Sequence, residues 1–508
     1  MDTTPYWIDS APLPQFSPLD RDLAVDVAIV GGGITGITAA WLLKRAGHTV
    51  ALLERGTCAG MDTGHTTAHL TAVTDRRLHE LIRHFGKDAA RAVWDAGAAA
   101  IDQIATATQA EDAACDFRWV PGHLMAPLSG STKSAEKELQ DEARAARDLG
   151  LPADAVAAVP TFQLPGLRFA HQAMFHPRKY LAALLRSIAG NGSHVFERTS
   201  VDDVADKPLA VVAGPHRVRC GRVLLATHTP LKGRSSALGA MTFQTKLALY
   251  TSYAFGAKLP SGEFPEALFW DLSDPYYYLR VERQGDHDYA IFGGEDHKTG
   301  QLRETREAYD RLEKRLLEFA PRAQIDHRWS GQVIETSDGL PFIGEVAEGQ
   351  FIATGFAGNG MTFGTLAAMI FTDAVAGRSN PWYDLFDPSR AKIRGGAWKF
   401  ITENKDYPYY LLRDRIAGAD TKSLDAVAPG EGRIVQLGGK KVAAYRDASG
   451  AVTLCSPVCP HLGCIVHWNP AEQTWDCPCH GSRFSATGQV MSGPAESSLE
   501  RVAEASGM

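Results

Sequence analysis

Four residues near the C-terminal end of this 508-residue chain have types and spacing suited to metal binding: Cys459, His461, Cys477 and His480. They form two limbs, Cys-x-His and Cys-x-x-His, separated by 15 residues. Each limb offers one thiolate and one imidazole. Such a set can hold a [2Fe–2S] cluster, with two cysteines on one iron and two histidines on the other, or a tetrahedral zinc ion. Zinc fingers usually pair Cys with Cys and His with His, so donor order and spacing favour the cluster. Cys464 and Cys479 add one further thiol to each limb, and Ser482 follows the second.

A second chemistry is written into residues 25–55. A largely apolar, β-branched run from Val25 to Val30 leads into Gly31-Gly32-Gly33-Ile34-Thr35-Gly36, and a helical pattern carries Ile34, Ile37 and Trp41 on one face. A second short strand, Thr49 to Leu53, delivers Glu54 and Arg55. Gly31 permits the tight turn, Gly33 lets the backbone approach a pyrophosphate at the helix N-terminus, and Gly36 allows close helix–strand packing. Glu54 is placed to accept a hydrogen bond from a ribose hydroxyl. Strand, helix, second strand and acidic residue together point to a bound dinucleotide.

The composition is that of a globular protein, 44% hydrophobic and 22% charged. A net charge of -7 argues against a nucleic-acid partner, which needs a basic surface. The first twenty residues contain four prolines and no Lys or Arg, unlike a signal peptide, and no apolar run reaches the ~20 residues of a membrane span. The expected location is the cytoplasm. Five of the eight cysteines crowd the region after residue 454, which in such a compartment suggests metal or redox chemistry. Cys455 has no obvious partner and is expected to be buried.

These sites need a scaffold, and the pattern predicts an α/β one. Residues 1–22 read as an extended lead-in. Residues 23–380 read as a Rossmann-like domain with an inserted, mainly antiparallel β part at about 150–330, where Tyr-rich and alternating runs are separated by turn residues. Helices are expected from Asp88 to Ala110, Ser134 to Leu149, within Met174 to Ile188, and Arg303 to Phe319. Residues 381–404 read as a linker and 405–508 as a small all-β domain carrying the metal limbs.

The motifs of residues 23–380 resemble the D-amino-acid-oxidase-like FAD-dependent oxidoreductases. The carrying stretches are Gly31 to Gly36 with Glu54, Leu224 to Thr227, Gly293-Gly294-Glu295, Asp338 to Gly344, and Gly355 to Met361. The resemblance implies FAD as the dinucleotide, held by Gly31, Gly33, Ile34, Thr35, Gly36, Glu54, Arg55, Thr66, Thr67, Ala226, Thr227, Gly344, Gly355, Gly358, Asn359, Gly360 and Met361. In that family the later glycine-rich turn lies beside the flavin pyrimidine, where helix N-terminal amides stabilise negative charge. His65 and His69 fall where some relatives attach the flavin covalently. Arg178 and Tyr180, or Tyr276 to Tyr278, are candidates for holding a substrate carboxylate or lining an aromatic cavity.

The metal limbs resemble Rieske proteins, which implies Cys459, His461, Cys477 and His480 as ligands of a [2Fe–2S] cluster. As in Rieske proteins of respiratory and photosynthetic complexes, the resemblance further implies a Cys464–Cys479 disulfide. Ser482 matches a serine that donates to a cluster sulfur, whereas Phe484 stands where that family usually has a tyrosine donor. A reduction potential below the top of the Rieske range is therefore expected.

The combined expectation is a dehydrogenase-like flavin/iron–sulfur oxidoreductase. It would oxidise a small amine or amino acid at the carbon–nitrogen bond and pass electrons singly through the cluster to an external acceptor. The alternative keeps both cofactors but makes the protein an electron-transfer or redox-sensing module without amine turnover. A hydroxylase would need a mononuclear iron site, for which no convincing His/His/carboxylate set is seen. No catalytic residue is assigned.

Overall fold

The computed structural model describes residues 2–128, 132–229, 247–390, 409–410, 413–415 and 417–502. The strand Val27–Val30 is buried along its whole length and is paired on both edges. Arg222–Leu225 pairs with it in parallel on one side and Val50–Leu53 on the other. These belong to a six-stranded sheet in the order Phe342–Ala347, Gln350–Thr354, Arg222–Leu225, Val27–Val30, Val50–Leu53, His194–Phe196. All its pairings are parallel except that of the first strand. Burial on both faces explains the continuous apolar runs. The helix Ile34–Arg45 packs against Gly360–Val375 across one face, and a Cβ on Gly36 would run into the Gly31 carbonyl.

The second sheet, antiparallel except where Arg118–Met125 pairs with Ala267–Asp271, is larger than expected and is not one contiguous insertion. Its nine strands include His69–Leu70 and Arg118–Met125, well before residue 150, and Gln324–Thr336 extends past 330. Conversely, His194–Phe196 and Arg222–Leu225, inside the expected insertion, belong to the parallel sheet. The chain thus crosses repeatedly between layers, a long-range pairing choice that local alternation does not encode. The helices come close to expectation, at Lys87–Ala110, Thr132–Asp148, Pro177–Ile188 and Arg306–Phe319.

The lead-in also differs from a plain extended segment. Tyr6–Ser10 forms a short helix, and Trp7 is wholly buried. Its indole N–H donates to the Thr66 carbonyl at 2.7 Å, and the Arg280 guanidinium lies 5.0 Å from its ring centroid. A five-residue helix has little stability of its own, so packing rather than propensity holds it.

Most of the expected linker lies outside the described residues. Its first part contains a helix at Tyr383–Phe386. Arg390 then returns to the oxidoreductase domain, donating to both carboxylate oxygens of Asp338 at 2.9 and 3.0 Å. The following domain is all-β, with a three-stranded sheet (Glu431–Leu437, Lys440–Arg446, Val452–Cys455) and a four-stranded one (His467–Asn469, Thr474–Asp476, Arg483–Ser485, Val490–Ser492). Among the described residues no helix is long and apolar enough to cross a membrane.

Trp7 pins a loop that borders the cavity described below. Trp7→Ala should cost about 3–5 kcal/mol, the usual range for emptying a buried aromatic site. The thermal unfolding midpoint should fall by several degrees; a shift within error would contradict this role.

Candidate functional site

A cavity of about 350 Å³ opens at the C-terminal ends of the parallel strands. Its floor is the turn from Val30 into the helix at Ile34, where the Gly31 backbone adopts φ +110° against the Ala226 carbonyl. Glu54 closes one side, its two carboxylate oxygens accepting the backbone N–H groups of Gly32 and Gly56, both at 2.7 Å. Thr63, not expected from the sequence, accepts the Ile34 N–H at 3.1 Å through its hydroxyl. The glycine cradle, helix N-terminus and acidic residue fit a dinucleotide with its pyrophosphate over the helix.

Of the expected cofactor residues, Gly31, Gly33, Ile34, Thr35, Glu54, Arg55, Thr66, Thr67, Ala226, Thr227, Gly358, Asn359, Gly360 and Met361 line this cavity. Gly36, Gly344 and Gly355 do not. Gly36 is spent on helix packing, Gly344 faces Pro388, and Gly355 faces Thr336, so the last two shape the surrounding chain rather than the cavity wall.

At the far end the cavity is aromatic and acidic. Tyr276 and Tyr278 line it, while Tyr277 points to the other face of the sheet and donates to Glu295 at 2.7 Å. The Ser252 and Tyr278 hydroxyls are 2.7 Å apart. Asp75 accepts the Gly358 N–H at 2.5 Å, next to the helix starting at Gly360. Partly buried Asp296 has a shielded Oδ1 with no hydrogen-bond partner, and burial raises its carboxyl pKa to about 7. His65 and His69 both line the cavity. Ring nitrogens of these two residues lie 2.7 Å from the Ser330 carbonyl and 3.3 Å from the Leu279 carbonyl, respectively. Burial, with help from Arg280, lowers the His69 pKa to about 4 and keeps its imidazole neutral.

Two of the candidate substrate contacts are structural. Arg178 is buried and donates to the Ala11 and Ala59 carbonyls, both at 2.9 Å, and Tyr180 is fully buried in the core. A polar helix start such as His176-Pro-Arg-Lys reads as a site in sequence. Carbonyls from distant loops decide otherwise.

In the second domain the two limbs face each other. The His461 and His480 rings have centroids 5.0 Å apart at 89°. The Cys459 and Cys477 thiols lie within hydrogen-bond reach, and this contact is the first cause that lowers the Cys459 pKa. Cys464 and Cys479 form a disulfide. The sulfurs of Cys464, Cys477 and Cys479 lie within 4.8 Å of one another, which places that bridge beside a ligand thiol. With two of the sulfurs bridged, the residues left that could hold a [2Fe–2S] cluster between the two loops are Cys459, Cys477, His461 and His480. Buried Ser482 accepts the Ala495 N–H at 2.9 Å, leaving its hydroxyl hydrogen to reach the Cys459 sulfur. Phe484 is fully buried and offers no donor, and Cys455 is buried as expected.

The two sites meet. Residues Met491 to Glu496 of the metal-binding domain form part of the cavity wall, and the Arg55 guanidinium donates to the Met491 carbonyl at 2.6 Å. Asp75, Asp296, Gln332 and this segment were not legible as site residues, because each reaches the cavity only through long-range pairing.

Residues 26–374 match the family described as FAD dependent oxidoreductase, and residues 419–503 match the Rieske [2Fe-2S] domain. A Bacillus subtilis protein named as a putative Rieske 2Fe-2S iron-sulfur protein, YhfW, is 34% identical over 504 residues, covering 98% of this chain and 97% of the relative. Gamma-glutamylputrescine oxidoreductase of Escherichia coli is 23% identical over 430 residues, 82% of this chain and 99% of the relative. Glycine oxidase from Geobacillus kaustophilus shares the fold, with a TM-score of 0.61 at 18% identity, over 73% of this chain and 100% of that one.

Two predictions arise from this geometry. The Asp296 carboxyl holds its proton up to about pH 7 in the folded chain, against 3.8 for an ordinary Asp. The folded state thus binds more protons between these values, and stability falls as pH rises through that window. In flavin-free protein, Asp296→Asn should match wild type near pH 4 and exceed its melting temperature by about 1–3 °C above pH 7. Equal melting curves at both ends would contradict this. The cluster midpoint should lie below the top of the roughly -150 to +300 mV range, and Ser482→Ala should lower it by on the order of 50–100 mV. A redox titration giving a wild-type value near the upper limit, or no change in the variant, would refute the assignment.

Proposed function

Because the chain belongs to the FAD-dependent oxidoreductase family and carries a Rieske [2Fe–2S] domain behind that fold, we propose that it dehydrogenates a small amine or amino acid at the carbon–nitrogen bond. Electrons leave through the cluster to an external one-electron acceptor. Bound FAD supplies a two-electron acceptor for the hydrogen on the carbon beside nitrogen, and the cluster supplies a one-electron outlet.

The chain's own residues supply the rest. The amides at Gly358 to Gly360 open the helix that runs to Val375, and their positive end favours negative charge at that edge of the cavity. Tyr276, Tyr278 and Trp270 provide an aromatic wall that excludes water from the reacting face. Asp75 and Asp296 supply acidic groups at the same end, suited to an amine nitrogen. Burial and the nearby Arg280 oppose protonation of His69, so it presents an uncharged imidazole to the cavity. Water then hydrolyses the imine product.

The observation that carries this reading is the shared wall, where the segment Met491–Glu496 of the Rieske domain closes the cavity of the oxidoreductase domain. A one-electron centre built against that cavity favours a dehydrogenase over an oxidase. Anaerobic mixing of the holoprotein with a panel of amines and amino acids should bleach the flavin band with at least one compound, followed by reduction of the cluster. Turnover with ferrocenium as acceptor should exceed turnover with oxygen. A panel in which no compound reduces the flavin would leave electron transfer or redox sensing without amine turnover as the function.

A further inference from the structure

The second ligand loop, Cys477 to Ser482, is pressed onto the oxidoreductase domain. Gly300 (φ +78°) and Gly481 (φ +73°) are the points of contact. A Cβ on Gly300 would lie 2.7 Å from both the Cys477 carbonyl carbon and the Pro478 nitrogen, and one on Gly481 would lie 2.6 Å from the Leu249 Cβ. Backbone therefore rests close against the other domain on either side of ligands Cys477 and His480. The Gln301 side chain donates to the Pro478 carbonyl at 3.1 Å.

Between these contacts stands Gln332, buried at 6% exposure. Its Nε2 donates to the Gly481 carbonyl at 2.7 Å and to the Thr299 hydroxyl at 3.2 Å, and its Oε1 accepts the Ser492 hydroxyl. The Gly481 carbonyl can only accept, so the amide orientation is fixed by its partners. Gln332 and Ser492 also line the cavity. One side chain thus touches the cavity, the ligand loop and the loop that covers it.

Further out the seam is polar and satisfied. Thr305 donates to Asn469 at 2.6 Å, Tyr309 donates to Glu472 at 2.7 Å, and the His467 Nδ1 lies 2.7 Å from the Gly300 carbonyl. Thr305, Asn469 and His467 are buried. Undocking would strip these partners and Gln332 together, each loss carrying the penalty of a broken buried hydrogen bond unless water replaces it.

We propose that Gln332 is a positioning residue that locks the cluster-binding loop onto the oxidoreductase domain, so that electrons cross from the flavin cavity to the cluster in a fixed assembly, without excursion of the Rieske domain. This rests on the reading that flavin electrons leave through the cluster. Per turnover two electrons cross the seam singly. Each reduces one ferric ion of the cluster to ferrous and is removed by an external one-electron acceptor before the next follows, while the protons released from the flavin go to solvent.

The test uses the holoprotein with flavin reduced by a flash in the presence of 5-deazaflavin and a sacrificial donor, so no amine substrate is required. Cluster reduction should proceed at a rate unchanged by added glycerol. In Gln332→Leu it should slow by at least about ten-fold and become viscosity-dependent, with faster amide exchange in residues 477–482 and 490–496. Thr305→Val, at a residue that bonds Asn469 and belongs neither to the cavity lining nor to the loops carrying the Cys and His pairs, should loosen the same seam, with about two- to five-fold slowing and faster exchange in 467–472. This second variant decides the matter if Gln332→Leu fails to load its cofactors. A wild-type rate that falls in proportion to viscosity overturns the proposal, as do variants with wild-type rates and exchange. Failure of every amine to reduce the flavin would remove the proposed substrate class and leave this test intact. Failure of photoreduced flavin to reduce the cluster would overturn both.

Discussion

Everything in this molecule depends on one close approach, that of the Cys477–Ser482 backbone to the strands of the oxidoreductase domain. Gly300 and Gly481 make it possible, since any side chain at either position would meet the other domain's chain. With the loops held there, the strand His287–Lys298 and its continuation to Gly300 run from Asp296 at the cavity to Cys477 at the metal site. The strand Gln324–Thr336, separated from it in the sheet by Leu247–Pro260, carries Gln332 between the same two places. The antiparallel layer therefore both covers the dinucleotide cavity and serves as the bed for the second domain.

The two chemistries constrain each other through this bed. A two-electron centre and a one-electron centre are useful together only if transfer between them outpaces the loss of electrons to oxygen. The hydrogen-bonded seam holds the two sites against each other. The segment Met491–Glu496 belongs to both sites, lining the cavity on one side and offering the Ala495 N–H to Ser482 on the other. The acidic, aromatic end of the cavity lies next to Asp75 and the helix that begins at Gly360.

The two Cys-and-His limbs and the glycine-rich turn were legible in the sequence because their residues are close neighbours in the chain. Cys-x-His, Cys-x-x-His and the glycine run each specify a local loop, and local loops carry their own spacing. What long-range pairing decides was not legible. Arg178 was one candidate for an anion contact, and the carbonyls it bonds, Ala11 and Ala59, come from distant loops, while Gly344 and Gly355 face Pro388 and Thr336. The single insertion expected over residues 150–330 dissolved into a sheet that starts at His69, because alternation marks a strand without naming its partners. Gln332 and Asp296 gave no signal at all. Each is an ordinary strand residue whose importance comes from what folding brings to it, the cavity for Asp296 and the second domain for Gln332.

The central claim is that the cavity and the cluster work as one unit within a single chain. Its most direct test is the dependence of cluster reduction on protein concentration after flash reduction of the flavin. A first-order rate that does not change across a wide range of concentrations is the predicted result. A rate that rises in proportion to concentration would show that electrons pass between molecules, and would contradict the account.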